Sequence, residues 1–494
     1  MRNQSSGIFF ENSLKDFLLL LGIHALVLSF FVWEIHRLFP QDVIGLIGIK
    51  MNDYSYFLGS IDNYFTYGTI TDSDPGKPFA GRMPGYGMPY LLLRLIFHQQ
   101  LAIALLMISQ VLLSVLSNLW LGRLYMLLFN EKRGARMCAL MFATFAPLLV
   151  FNLFTLSESF SVSAFIGYFY YLILYIKNSR PRYLLLSGFF LAWLVFLRPF
   201  MGVLLPVTAL FLWINAPAKQ WVRNCVWVFF AFACFELAWI TRNYLALNRF
   251  IPLETSLNES YSERSSYRKS ALAIRGMINA FGGEAGEFYP GSEGAWFHSN
   301  DRNGFPSGIF PQRILSLISP DSLLLLKSNF LGSVSPENSE SACDSLNELA
   351  YRTAKRYAAI YRKARPLHSY LLVPVTKVFE FVFTNGTILM MMPPFPEMNG
   401  VEKAIKLFYF LHYYFVLFSG IILGFILAYR SKSLLKLLFI PIMLPWLISA
   451  LLITYTDLYI IQHRYLLCML PGLMIFSSYG IIWMVDRIAK RNSV

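Results

Sequence analysis

Asn52-Asp53-Tyr54-Ser55-Tyr56 and, later in the same stretch, Arg82-Met83-Pro84-Gly85-Tyr86 stand between two long apolar runs, 18–38 and 101–129. A plain bundle of membrane helices needs only a short turn between its first two spans, and connections this long are usually functional. Asp53 comes soon after the first apolar run ends, which sets a carboxylate at the depth of lipid headgroups.

The runs on either side are part of a pattern that fills the chain. Of 494 residues, 56% are hydrophobic and 14% charged, with a mean hydropathy of +0.51, whereas soluble domains carry about 25% charged residues. Apolar runs at 17–38, 101–129, 136–151, 158–176, 183–197, 199–215, 221–240, 404–429, 434–455 and 464–486 approach the ~20 residues that cross a bilayer. The expected fold class is an all-α polytopic membrane protein of about 10 to 13 transmembrane helices. The first run is too long for a signal-peptide core and lacks a small-residue cleavage site, so it stays as a span. Cys138, Cys225, Cys234, Cys343 and Cys468 are scattered without metal-ligand spacing and read as packing residues.

The formal charge of +14 lies mostly in short loops, which points to orientation and away from nucleic acid. Lys132, Arg133 and Arg136; Lys177, Arg180 and Arg182; Lys219 and Arg223; Arg430, Lys432 and Lys436; and Arg487, Lys490 and Arg491 fall on one side, the cytoplasmic side by the positive-inside rule. The opposite side receives 40–100, 151–157, 242–366 and 454–463, so function is expected there. The run 367–392 is interrupted by Pro374, Lys377, Glu380 and Gly386, and reads as an in-plane or re-entrant helix. The organisation is therefore an N-terminal transmembrane module 1–241 holding the outer loop 40–100, an extracytoplasmic region 242–366, an in-plane segment 367–403, and C-terminal helices 404–494. Within the extracytoplasmic region, 342–365 has helical composition and 282–307 reads as irregular.

Several outward elements carry chemistry: Asp53, Arg82, Glu158 in Leu-Ser-Glu-Ser, Arg242 in Trp-Ile-Thr-Arg-Asn-Tyr, and His463-Arg464-Tyr465. The series Asn52-Asp53-x-x-Tyr56, Arg82-x-Pro84-Gly85-Tyr86, Ser157-Glu158, Leu197-Arg198-Pro199, Arg242-Asn243-Tyr244, Arg365-Pro366 and His463-Arg464-Tyr465 covers most of the chain. In that order it resembles the GT-C superfamily of polyprenyl-phosphate-dependent glycosyltransferases, in the branch of protein O-mannosyltransferases and aminoarabinose transferases. The family pattern has a proline directly after Gly-Tyr, where this chain has Gly87-Met88-Pro89, and paired acids where it has Asp53-Tyr54.

The resemblance implies a GT-C-like bundle with juxtamembrane helices on the outer face. It also implies a polyprenyl-phosphate sugar donor and a glycan, lipid or protein acceptor at the outer face; separately, the simple loops and the absence of retention signals point to a bacterial inner membrane. Asp53 would be the base; Arg82, Arg242, His463 and Arg464 would hold the donor phosphate; Tyr56, Tyr86, Glu158 and Arg198 would contact substrate. The chemistry is consistent: an acceptor hydroxyl needs a proton acceptor during attack, and a departing lipid phosphate needs guanidinium groups more than it needs an acid.

Blander readings compete. Asp53 reads equally as an exposed loop acid, with Asp62 as a rival base, and arginines at span ends often only snorkel to headgroups. Asp72-Ser73-Asp74 fits a divalent-metal DxD pattern and an ordinary turn alike; no other cofactor is called for. Two further functions remain open: a polymerase or ligase of lipid-linked glycans working through arginines and histidine, and a flippase, which would place its charges near the bilayer midplane.

Overall fold

The computed structural model describes residues 13–51, 53–71, 78, 80–215, 217–253, 269–285, 291–299, 305, 308–335, 337–383, 392–393, 395–430, 439–440, 442–444, 448 and 467–491. The chain divides into two compact units, one of residues 1–254, 385–445 and 463–494, the other of 255–384 and 446–462.

The first unit contains α1 (Ser13–Leu38), α2 (Ser60–Tyr67), α3 (Gly87–Arg94), α4 (Gln99–Phe129), α5 (Lys132–Ala143), α6 (Ala146–Leu149), α7 (Glu158–Asn178), α8 (Pro181–Leu197), α9 (Leu204–Asn215) and α10 (Ala218–Leu247). The second contributes α11 (Lys269–Phe281), α12 (Glu293–His298), α13 (Gln312–Leu315), α14 (Pro320–Ser333), α15 (Glu340–Ala364) and α16 (Val373–Phe383). The chain then returns to the first unit with α17 (Gly400–Arg430) and α18 (Leu470–Arg491). The protein is an all-α polytopic membrane protein: Leu14–Leu38, Gln99–Phe129, Glu158–Asn178, Lys219–Leu247, Gly400–Tyr429 and Leu467–Ala489 are each long and apolar enough to span a bilayer.

The described residues carry six such helices, or seven with one bent pair, against the ten or more expected. Proline explains part of the gap. The run 136–151 breaks by 56° between α5 and α6, where Pro147 enters the first turn of α6, because proline lacks the amide hydrogen that would continue the ladder. Arg198-Pro199 likewise ends α8 and starts a 3-10 turn, Pro199–Val203, before α9. Most of the expected span 434–455 lies outside the described residues.

Within this unit α7 packs against α4 and α8, and α8 against α10; 78% of the apolar window of α7 is buried. Close approach depends on small residues, as expected where helices associate by packing in lipid. At Gly188 an added methyl group would run into the Val228 carbonyl of α10, and at Gly420 of α17 into Leu473 of α18. α17 begins on Asn399, whose Oδ1 accepts from the amides of Val401 and Glu402 at 3.0 and 2.9 Å, while Glu402 Oε2 accepts from Asn399 N at 2.8 Å. This reciprocal cap satisfies amides that the first helical turn leaves open.

The second unit is built as a soluble domain is. Phe281, Phe297, Phe310, Ile314, Leu323, Leu326, Phe330 and Tyr361 share one buried core, and α11 packs along α15 with every residue from Ser270 to Phe281 buried. The 342–365 segment forms the helix expected of it, as Glu340–Ala364. The 282–307 segment, expected to be irregular, contains α12, which Ser292 caps by accepting from Ala295 N at 3.0 Å. α10 continues past the boundary expected at 242 and ends at Asn248, in the left-handed conformation that asparagine tolerates.

Candidate active site in the first loop

The chain leaves α1 through a 3-10 turn, Pro40–Asp42, and a short antiparallel hairpin, Val43–Ile44 with Gly48–Ile49. The hairpin fixes the approach to Asp53, because Ile49 bridges to Phe154 and Met51 N donates to Thr155 Oγ1 at 3.0 Å. The segment before Asp53 is thereby tied to the one that leads into Glu158. Asp53, half-buried, then opens a π-helical turn, Ser55–Gly59, its carbonyl accepting from Tyr56 N and Phe57 N at 3.1 and 3.3 Å. Single π turns inside helices occur often at functional sites.

Phe57, which the π turn presents, meets the second motif. The Arg82 guanidinium lies over its ring at 5.8 Å and the Tyr86 ring meets it edge-on at 5.6 Å. The Arg82–Tyr86 turn is itself pressed onto the end of α8. Trp193 Nε1 donates to the Gly85 carbonyl at 2.9 Å, and any side chain at Gly85 would collide with the Phe196 backbone. Tyr86, fully buried, donates to the Phe154 carbonyl at 3.4 Å and packs on Phe160 at 5.6 Å. Burial, reinforced by the Glu158 charge, pushes the Tyr86 phenol well above its usual range, so it keeps its proton.

Glu158, at the start of α7, and Arg198, at the end of α8, form an ion pair at 2.7 Å with side chains 3% and 10% exposed. Cys468, buried at the entry to the last helix, lies within electrostatic reach of both. Such a pair in a dry setting is strong in attraction and costly to break.

Asp62, the rival base, is committed elsewhere. Its Oδ1 accepts from Tyr90 at 2.8 Å and from Arg94 Nε at 3.0 Å, and its Oδ2 from Gln99 at 2.9 Å and Tyr54 at 3.1 Å. Four donors from the π-turn region, α3 and α4 fill a carboxylate's main acceptor directions. Burial first, then the Asp62 charge, pushes the Tyr54 phenol up to about 12 and Tyr90 up as well, so both remain donors. Asp62 thus holds the floor of the loop that presents Asp53.

Arg242 reaches the loop from α10. Its guanidinium lies over Trp239 at 5.2 Å and donates to the Ile70 carbonyl at 3.3 Å and to Asn243 Oδ1 at 2.9 Å. Trp239 joins Ala80, Met83, Phe196 and Ile251 in a small buried cluster and donates to the Leu253 carbonyl. The structure therefore links Arg82 and Tyr86 through Phe57, four residues after Asp53 and next to Tyr56 in the π turn, sets Tyr86 on Phe160 of the helix that Glu158 opens, and pairs Glu158 with Arg198, while Arg242 bonds the Ile70 carbonyl and lies over Trp239 of the Met83 cluster. Asp72, Asp74, His463 and Arg464 lie outside the described residues. Among the described residues no group of three or more His, Cys, Asp or Glu is placed to hold a metal ion.

Two features escape a reading of the sequence. Phe57 is one aromatic among many until the fold sets Arg82 and Tyr86 against it. Arg37 Nη2 bonds Glu34 Oε2 and Glu402 Oε1, both at 2.6 Å, and so joins the end of α1 to the start of α17. The Glu34–Arg37 spacing hints at half of this link; Glu402 is too distant in sequence to pair by inspection.

Neither a protein-family model nor a curated protein matches this chain. Solved structures do. The Archaeoglobus fulgidus oligosaccharyltransferase in its apo form aligns over 97% of this chain and 51% of its own, at 11% identity and a TM-score of 0.50. The oligosaccharyltransferase AglB from Archaeoglobus fulgidus, in complex with an inhibitory peptide and a dolichol-phosphate, gives 14% identity and a TM-score of 0.47 over 99% of this chain and 52% of its own. ArnT from Cupriavidus metallidurans bound to undecaprenyl phosphate gives 11% and 0.36 over 95% and 78%. The chain spans about half the length of the oligosaccharyltransferase chains it matches. At these identities the likeness concerns the fold alone.

Proposed function

We propose that this protein is an integral-membrane glycosyltransferase that moves a sugar from a polyprenyl-phosphate donor to an acceptor hydroxyl on the extracytoplasmic face, in a bacterial inner membrane. The meeting of the Asp53 and Arg82–Tyr86 turns at Phe57, with Tyr86 packed on Phe160 two residues after the paired Glu158, within a GT-C-type fold, carries this reading. The orientation follows from the basic loops, which share the other side.

In the reaction Asp53 takes the acceptor's hydroxyl proton as the acceptor oxygen attacks the anomeric carbon. The bond from that carbon to the lipid-phosphate oxygen breaks, and the phosphate leaves with the bonding electrons. A single displacement inverts the anomeric centre. Arg82 and Arg242, with His463 and Arg464, hold the phosphate and stabilise its gathering charge. Tyr56 faces substrate from the π turn, and Tyr86, Glu158 and Arg198 form the substrate-side floor. Asp53 is preferred to Asp62 as base because it holds the first-acid position of the motif series, while Asp62 accepts from four donors that tie the loop together.

The decisive measurement incubates purified protein with a panel of polyprenyl-phosphate sugars and candidate acceptors, with products read by mass spectrometry and the anomeric configuration by NMR. Sugar transfer with inversion is expected. Movement of the lipid donor across sealed liposomes without any covalent product would replace this reading with a flippase.

A further inference from the structure

The last described helix of the second unit leaves an apolar face outward. In the π-helical turn His368–Leu372 and in α16, Ser369, Val373 and Lys377 point inward and are buried, and Ser369 Oγ donates to the Ala280 carbonyl at 3.1 Å. On the other side Leu367, Tyr370, Leu371, Val375 and Phe379 are 45% to 74% exposed. They recur at steps of mostly three or four residues, so they share one helix face. A surface helix of a soluble domain buries its apolar stripe and turns charge outward; here the stripe left outside is apolar.

The charge around that stripe identifies its occupant. α15 closes on Arg362 and Lys363, with Arg365 next, and no acidic residue occurs from Leu349 to Phe379, a stretch that also holds Arg352, Lys355 and Arg356. An apolar face preceded in the chain by six basic residues, with Glu380 the first acid after it, fits the boundary between acyl chains and anionic headgroups. The next described long helix in the chain, α17 from Gly400, is apolar and long enough to span a bilayer. We infer that the 367–379 strip is an in-plane anchor that seats the second unit on a leaflet rich in anionic phospholipid. This binding surface is independent of the catalytic reading.

Full-length protein tests it. Leu371→Cys or Phe379→Cys, in a background of Cys225→Ser and Cys234→Ser, is spin-labelled and reconstituted in phosphatidylcholine–phosphatidylglycerol liposomes. Collision with oxygen, which partitions into lipid, is compared with collision with an aqueous nickel chelate. Both labels should favour oxygen at interfacial depth, while a label at Arg352→Cys favours nickel. Nickel access at Leu371→Cys equal to that at Arg352→Cys would overturn the proposal, as would low access to both quenchers, which a protein partner would give, or a depth at the bilayer centre. Lys363→Glu with Arg365→Glu, or liposomes of phosphatidylcholine alone, should shift both labels toward nickel; unchanged immersion in both would overturn the anionic preference.

Discussion

α7 and α11 are both buried on nearly every side, one in each unit, and they reach that state by different routes. α7 is a continuous apolar run, Glu158 to Asn178, whose neighbours α4 and α8 enclose it. α11 carries Lys269 and Arg275 and succeeds through Ala271, Ala273, Gly276 and Ala280, small residues that let α15 pack closely. In the first unit the membrane has already removed water, so hydropathy reports the helix and the few buried charges must find each other, as Glu158 and Arg198 do. In the second, the buried face of α11 has no apolar run to announce it, and only the assembled core reveals it.

The largest test of that contrast breaks one core at a time. Glu158→Ala leaves Arg198 buried beside a missing charge and should destabilise the first unit by about 3–5 kcal/mol. Phe297→Ala opens a cavity in the second-unit core, also worth about 3–5 kcal/mol. Hydrogen exchange on the full-length protein should locate the first loss in α7 and α8 and the second in α11, α14 and α15. If Glu158→Ala protein melts like wild type, the pair is not the internal tie described above.

The next test separates two carboxylates of one loop. Asp53→Asn preserves shape and removes the proton acceptor, so turnover should fall by about 10²-fold or more with donor affinity largely kept. Asp62→Asn turns one acceptor oxygen into a donor facing Tyr54, Tyr90, Arg94 or Gln99. Its signature should be a lower melting temperature and weakened binding and turnover together. Near-normal turnover in Asp53→Asn with a collapse confined to kcat in Asp62→Asn would exchange their roles.

What the sequence made legible follows the same divide. α1, α4, α7, α10 and α17 announce themselves by hydropathy, and the order of Asp53, Arg82, Glu158, Arg198 and Arg242 names the candidates for the site. Their pairing was hidden: nothing local says that Glu158 meets Arg198, that Asp62 gathers four donors, or that Arg37 reaches Glu402. The break at Pro147 was written in the sequence but lay inside an apolar run that read as one span. The second unit was the least legible, because a helix of small residues with two cations has no hydrophobic signature until its neighbours are in place.

The smallest effect concerns pH and falls on the second unit alone. His298, at the end of α12, sits edge-on to Phe330 at 5.0 Å. Burial, with the nearby Arg275 charge adding to it, pulls its imidazole down from 6.5 to about 4. The unfolded chain therefore takes up this proton at a higher pH than the folded one. The stability associated with the neutral ring is complete above pH 6.5, declines as pH falls through that value, and is fully lost near pH 4, a change of roughly 1–3 kcal/mol. His298→Phe keeps a ring beside Phe330 and removes the titration. Hydrogen exchange in α11 and α14, corrected for intrinsic rates, should rise between pH 7.5 and 5 in wild type and rise less in the variant. Parallel curves for the two proteins would show that His298 is not what makes this core sensitive to acid.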